Sequence, residues 1–297
     1  MNRRVLAGIN VGTHHQVEGA TFFALIGSQR CGSNFMRELL GTNPQTIVHG
    51  EIFMPFPLPN CWHYFTKSVT YRSVPPMYAP DAMLLFDDYL VHLREDVKRG
   101  YPGKGCDVRA VGLDIKYNQI RAFSSIHRPL SAKPLLLDYF INRGIPVIHM
   151  VRRNMAHQAL SLAIAEARDV YHNYGSSGGE LSQVEVDPRV LLGKLRWVSE
   201  ERQEFSKLGR GLPMLEVAYE DLAAACRGVE PGCGIDCSEE GSVLGQVAEF
   251  LDIPPEFSNP ASLRKVIDRP YAEILSNYEE ILAALRSSDF ASLAESI

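Results

Sequence analysis

Short apolar runs alternate along this chain with longer stretches of helical periodicity, and that alternation limits the architectures open to it more than any other feature. Phe22–Gly27, Thr46–His49, Ala110–Ile115, Pro146–Val151 and Met214–Ala218 read as strands. Ser33–Leu40, about Asp81–Lys98, Lys133–Asn142, Met155–Tyr171 and Arg189–Leu208 read as helices. Strand followed by helix, repeated, is the signature of βαβ units around a parallel sheet. The pattern predicts an α/β chain with a P-loop NTPase-like parallel sheet flanked by helices. It shows no internal repeat and no linker, so residues 1–297 are expected to form a single domain with residues 1–20 as an N-terminal extension.

A chain of 297 residues, 45% apolar and 22% charged, has the material for one sizeable core. The formal net charge of −5 argues against a nucleic-acid partner, which a basic excess would mark. The first residues, MNRRVLAGINVGTHHQVEG, carry too short and too broken an apolar stretch for a signal peptide, and no run reaches membrane-spanning length. Six scattered cysteines lack the density of a secreted disulfide scaffold, so a cytoplasmic location is expected. Cys226, Cys233 and Cys237 have neither a C-x-x-C pair nor a following histidine at finger spacing, and are read as free thiols rather than a metal site. Oligomeric state, a homodimer included, is not fixed by the sequence.

The stretch FALIGSQRCGSNF, Phe23 to Phe35, carries the strongest chemical signal. Gly27 and Gly32 keep the glycine spacing of a G-x-x-x-x-G-K-[ST] phosphate loop, yet Ser33 and Asn34 stand where its lysine and hydroxyl residue belong. A glycine-rich turn opening a helix still offers backbone N–H groups and the positive end of the helix dipole to a phosphate. What is lost is the equipment for a magnesium-bound triphosphate. Arg30, inside the loop, is placed to fold over the bound group. A second stretch, VRRNMAHQALSL, Val151 to Leu162, directly follows the fourth strand and taken alone reads as a capped amphipathic helix with a solvated arginine pair.

SQRCGSNF, Ser28 to Phe35, resembles the 5′-phosphosulfate loop of sulfotransferases, above all the bacterial branch typified by trehalose and nodulation-factor sulfotransferases. The spacing of eight between Arg153 and Ser161 resembles that family's 3′-phosphate motif. VAYEDL, Val217 to Leu222, and the tail from Leu263 to Leu282 are softer similarities. The resemblance implies the sulfotransferase fold and a donor, 3′-phosphoadenosine 5′-phosphosulfate, converted to 3′,5′-adenosine diphosphate without a metal. The implied donor-binding residues are Ser28, Gln29, Arg30, Cys31, Gly32, Ser33, Asn34, Phe35, Arg153 and Ser161. Arg264 and Lys265 are followed by Val266 where the animal enzymes continue R-K-G, so they stay unassigned.

Sulfuryl transfer needs a base for the acceptor's proton and positive charge beside the leaving phosphate. Arg30 supplies the charge. Glu51, just past the second strand, matches the acidic residue of the bacterial branch and is expected to be the base, with His49 its rival. Asp114 and Lys116 on the third strand are expected to line the acceptor side without a committed role. Residues 54–80 and 174–186 are expected substrate or lid loops, in which Pro55–Phe65 is rich in proline and aromatics and Tyr174–Gln183 in glycine and serine. The expected acceptor is a small molecule such as a carbohydrate, glycolipid or secondary metabolite. A divergent P-loop kinase and a non-catalytic nucleotide-binding module are the competing readings.

Overall fold

A computed structural model describes residues 20–54, 60–69, 79–99, 107–123, 132–168, 183–239, 241–260 and 269–297. In chain order the elements are β1 (Thr21–Gly27), α1 (Ser33–Thr42), β2 (Thr46–Glu51), α2 (Trp62–Val69), α3 (Ala79–Lys98), β3 (Ala110–Lys116), α4 (Leu135–Arg143), β4 (Val147–Val151), α5 (Met155–Arg168) and α6 (Pro188–Leu208). They continue as β5 (Met214–Ala218), α7 (Tyr219–Ala225), α8 (Val243–Leu251), α9 (Tyr271–Ile274) and α10 (Tyr278–Arg286). All five strands are parallel, in the order β2-β3-β1-β4-β5.

Alternation along β1 explains why both sheet faces are covered. Phe22, Ala24 and Ile26 point to one side and pack with Phe86, Tyr89 and Leu93 of α3, Leu136 and Tyr139 of α4 and Phe205 of α6. Phe23 and Leu25 point to the other, against Met36, Leu39 and Leu40 of α1, Leu222 of α7 and Val247 and Leu251 of α8. A third apolar cluster joins α5 and the start of α6 to α9 and α10. A sheet buried on both faces needs strands that are apolar throughout, which is why the strands stand out in the sequence.

The expected strand and helix positions hold to within about three residues. The main departure is β2, which runs on through Gly50 to Glu51, with a break in register between His49 and Glu51 that shifts the pairing onto Asp114. Part of the expected loop at Pro55–Phe65 is helical, because Trp62 and Phe65 pack with Phe86, Tyr89 and Phe123. The Tyr174–Gln183 loop, apart from Gln183, and Arg264 and Lys265 lie outside the described residues.

Gly27, Glu51, Lys116, Arg152 and Tyr219 all fall at or just beyond the carboxyl ends of their strands. The chain leaves β1 toward β2 and β3, then crosses to β4 and β5 on the opposite side. In an open α/β sheet such a switch point is where ligands bind.

Candidate active site at the carboxyl edge of the sheet

The loop after β1 is held by close contacts that require its two glycines. A Cβ on Gly27 would lie 2.6 Å from Cys31 Sγ and 2.8 Å from the Met150 carbonyl oxygen. Gly32 has φ of 100°, and a Cβ there would come within 2.5 Å of the Tyr219 ring. Arg30 also adopts a left-handed conformation, φ 60°, which is uncommon for a residue with a side chain. The turn delivers Gly32 as the N-cap of α1, whose first turn contains no acidic residue. The opening N–H groups of a helix have no intrahelical acceptor, so this end presents the positive pole of the helix dipole.

Three cationic side chains approach the loop. Arg30 Nε donates to Ser161 Oγ at 3.1 Å, bridging the loop to α5. Burial, and then the neighbouring Arg152, push its guanidinium below the ordinary arginine value. The Arg152 guanidinium lies over the Tyr219 ring at 5.0 Å, and its buried Nε has no hydrogen-bond partner among the described residues. Lys116 Nζ donates to Ser33 Oγ at 2.7 Å and to Asp114 Oδ1 at 2.7 Å. Ser33 occupies the place of the missing loop lysine, so β3 brings an ammonium group to the spot where the loop's own sequence has none. Asp114 is fully buried, and its Oδ2 faces Arg37 Nη1 at 3.9 Å.

The two candidate bases are separated. Glu51 stays at the site: its Oε2 accepts from Gln119 Nε2 at 2.7 Å and its Oε1 lies 3.8 Å from Lys116 Nζ. His49 is buried within the strand, 2% exposed, among groups that include Asp96 and His92 of α3. Burial pushes its pKa down to about 4, so its ring is neutral at pH 7 and turned to the core rather than the loop.

Arg153 and Ser161 are not brought together. The Arg153 guanidinium makes a two-pronged contact with Asp221, at 2.6 and 2.5 Å, and its backbone N–H donates to Glu220. Ser161 accepts from Arg30 instead. Gln29 holds the loop through its carbonyl, which accepts from Gln158 Nε2 at 2.7 Å, and Phe35 meets Tyr219 edge-on at 6.0 Å. Cys31 is buried beneath the turn, and burial raises its thiol pKa. Asn34 lies in the first turn of α1.

Sequence reasoning missed Arg152, Tyr219 and Glu201. The last is the most surprising, because Ser28 Oγ donates to Glu201 Oε2 at 2.9 Å from a helix residue 173 positions away. Beside Gln29, an open groove of about 370 Å³ runs between α5 and α6, bordered by Leu162, Trp197 and the Lys194–Glu166 ion pair. Among the described residues, no group of three or more His, Cys, Asp or Glu is placed to hold a metal ion, and no helix is long and apolar enough to cross a membrane.

Neither known family profiles nor curated proteins match this chain. Among solved structures it is similar to the sulfotransferase domain of the olefin synthase of Synechococcus PCC 7002, with 16% identity, a TM-score of 0.40, and coverage of 96% of this chain and 97% of that one. So distant a likeness leaves function to be decided by this chain's own residues.

Proposed function

We propose that the chain transfers a sulfuryl group from 3′-phosphoadenosine 5′-phosphosulfate to a hydroxyl or amine of a small acceptor, without a divalent metal. The observation that carries this reading is the loop itself. It has glycine geometry and a helix N-terminus for a phosphate, and it has Arg30 and Lys116 in place of a Walker lysine and a magnesium-holding hydroxyl.

In this reading the backbone of residues 28–35 holds the 5′-phosphate. The like-charged Arg30 and Arg152, together with Ser161, hold the 3′-phosphate, since an anion between two partly buried guanidinium groups relieves their repulsion. The bond from sulfur to the acceptor atom forms as the bond from sulfur to the 5′-phosphate oxygen breaks. The electron pair stays on that oxygen, which Arg30 and Lys116 stabilise, and the acceptor's proton passes to Glu51. The groove at Gln29 has the volume of a small-molecule site and offers room for the acceptor's remaining atoms.

Thermal melting tests the donor class. Excess 3′,5′-adenosine diphosphate should stabilise the protein, by about 2.7 kcal/mol at a hundred times its Kd, while ATP with magnesium should not. Stabilisation by ATP–magnesium alone would select the kinase reading, and stabilisation by 3′,5′-adenosine diphosphate without any transfer of labelled sulfate would select a non-catalytic module. Transfer of labelled sulfate should persist in excess chelator.

A further inference from the structure

Glu201 sits in the middle of α6, and its carboxyl accepts a hydrogen bond from Ser28, the first residue of the loop, at 2.9 Å. An acidic group therefore touches a loop that Arg152 and Lys116 also approach. The groups acting on Glu201 are the Ser28 hydroxyl from the loop, Tyr117 from the turn after β3, and Glu204 three residues along α6. Arg202, its sequence neighbour, is turned to the Arg152 carbonyl at 2.5 Å. No cation among the described residues pairs with the Glu201 carboxyl.

An anion held by this loop comes close to a half-buried carboxyl that has no counterion among the described residues, while Glu204, near by, is exposed and paired with Arg121 at 3.3 Å. Two like charges in a partly desolvated site cannot both persist cheaply, and protonation of the carboxyl is the lower-cost outcome. We propose that an anion enters the phosphate loop together with a proton, which Glu201 takes up from solvent. Glu201 is thus a positioning residue that couples occupancy of the loop to pH. Burial already raises its carboxyl pKa to about 7, so the coupling operates near neutrality. The inference rests on the loop being a phosphate seat, as proposed above, and not on sulfuryl transfer.

Calorimetric titration with 3′,5′-adenosine diphosphate, in two buffers of different ionisation enthalpy, counts the protons bound with the ligand. The wild type should take up more protons than Glu201→Gln, whose amide still accepts from Ser28. The difference should rise toward one proton above pH 7. Wild-type affinity should also fall, relative to the variant, by as much as about tenfold per pH unit in that range. Equal proton uptake in the two proteins would overturn the inference while leaving the donor reading intact. Inorganic sulfate, which does not titrate here, separates the two ideas. If sulfate binds with the same difference in uptake while the nucleotide does not bind, the donor reading falls and the inference stands; if neither binds, both fall. Should Glu201→Gln fail to fold, wild-type uptake with sulfate decides, since it must fade as pH drops from about 7 toward 4.5.

Discussion

At the scale of single residues, two neighbouring arginines differ in what surrounds them. Arg153 has its guanidinium committed to Asp221, whereas Arg152, beside Arg30, keeps a buried Nε without a hydrogen-bond partner among the described residues. Arg152→Ala should therefore weaken binding of 3′,5′-adenosine diphosphate by about tenfold to a hundredfold, the worth of a charge-assisted hydrogen bond. Arg153→Ala should do less, and adenosine 5′-phosphosulfate, which lacks the 3′-phosphate, should be affected little by either. A larger loss from Arg153→Ala would return the role to the residue the sequence pattern favours. For the base, Glu51→Gln should preserve nucleotide affinity and lower turnover by about a hundredfold to ten-thousandfold. His49→Asn should change the melting temperature instead, because that ring is buried away from the loop. Unchanged turnover in Glu51→Gln would remove Glu51 from the reaction.

At the scale of elements, the site depends on three strand ends meeting one helix start. Lys116 on β3 ties Ser33 of α1 to the buried Asp114 and faces Glu51 of β2. Lys116→Met would strand the Asp114 carboxylate with only the more distant Arg37, and should destabilise the fold by about 3 to 5 kcal/mol. In the Asp114→Asn/Lys116→Met double variant most of that loss should be recovered, as measured by denaturant unfolding. If the double variant is as unstable as the single one, Asp114 is not the reason Lys116 matters to the fold. These ties also show which parts of the structure the sequence could disclose. Strand and helix positions were legible because a doubly covered sheet forces unbroken apolar runs, and the loop because glycine alone tolerates the conformation at Gly32 and the approach to Gly27. Glu51 was legible as a polar residue at a strand end. The links Arg30–Ser161 and Ser28–Glu201 were not, since they join residues 131 and 173 positions apart. Only the lie of α5 and α6 across the sheet edge creates them. Arg152 and Arg153 are indistinguishable as letters; what separates them is that α7 presents the Asp221 carboxylate to Arg153 and the Tyr219 ring to Arg152.

At the scale of the whole molecule, a buried and a half-buried titratable group on different elements pull stability in opposite directions over an overlapping range of pH. His49 has a folded pKa of about 4 against an ordinary 6.5, so between those values the unfolded chain binds more protons. Its contribution to stability is fully present above pH 6.5 and is lost as pH falls toward 4. Glu201 has a folded pKa of about 7 against an ordinary 4.5, so in that window the folded chain binds more protons, and stability falls as pH rises through it. Partial exposure of Glu201 weakens its side of the balance by solvent screening. In the wild type the two effects oppose one another from pH 4.5 to 6.5. Melting curves of Glu201→Gln against wild type, each without ligand, isolate one of them because all other groups cancel in the difference. The variant's advantage in Tm should be least at the acid end, grow up to about pH 7 and then level off. A difference that stays constant with pH would mean that Glu201 ionises as freely in the folded protein as in the unfolded chain, and the coupling between loop occupancy and protonation near neutrality would then have no stored cost to draw on.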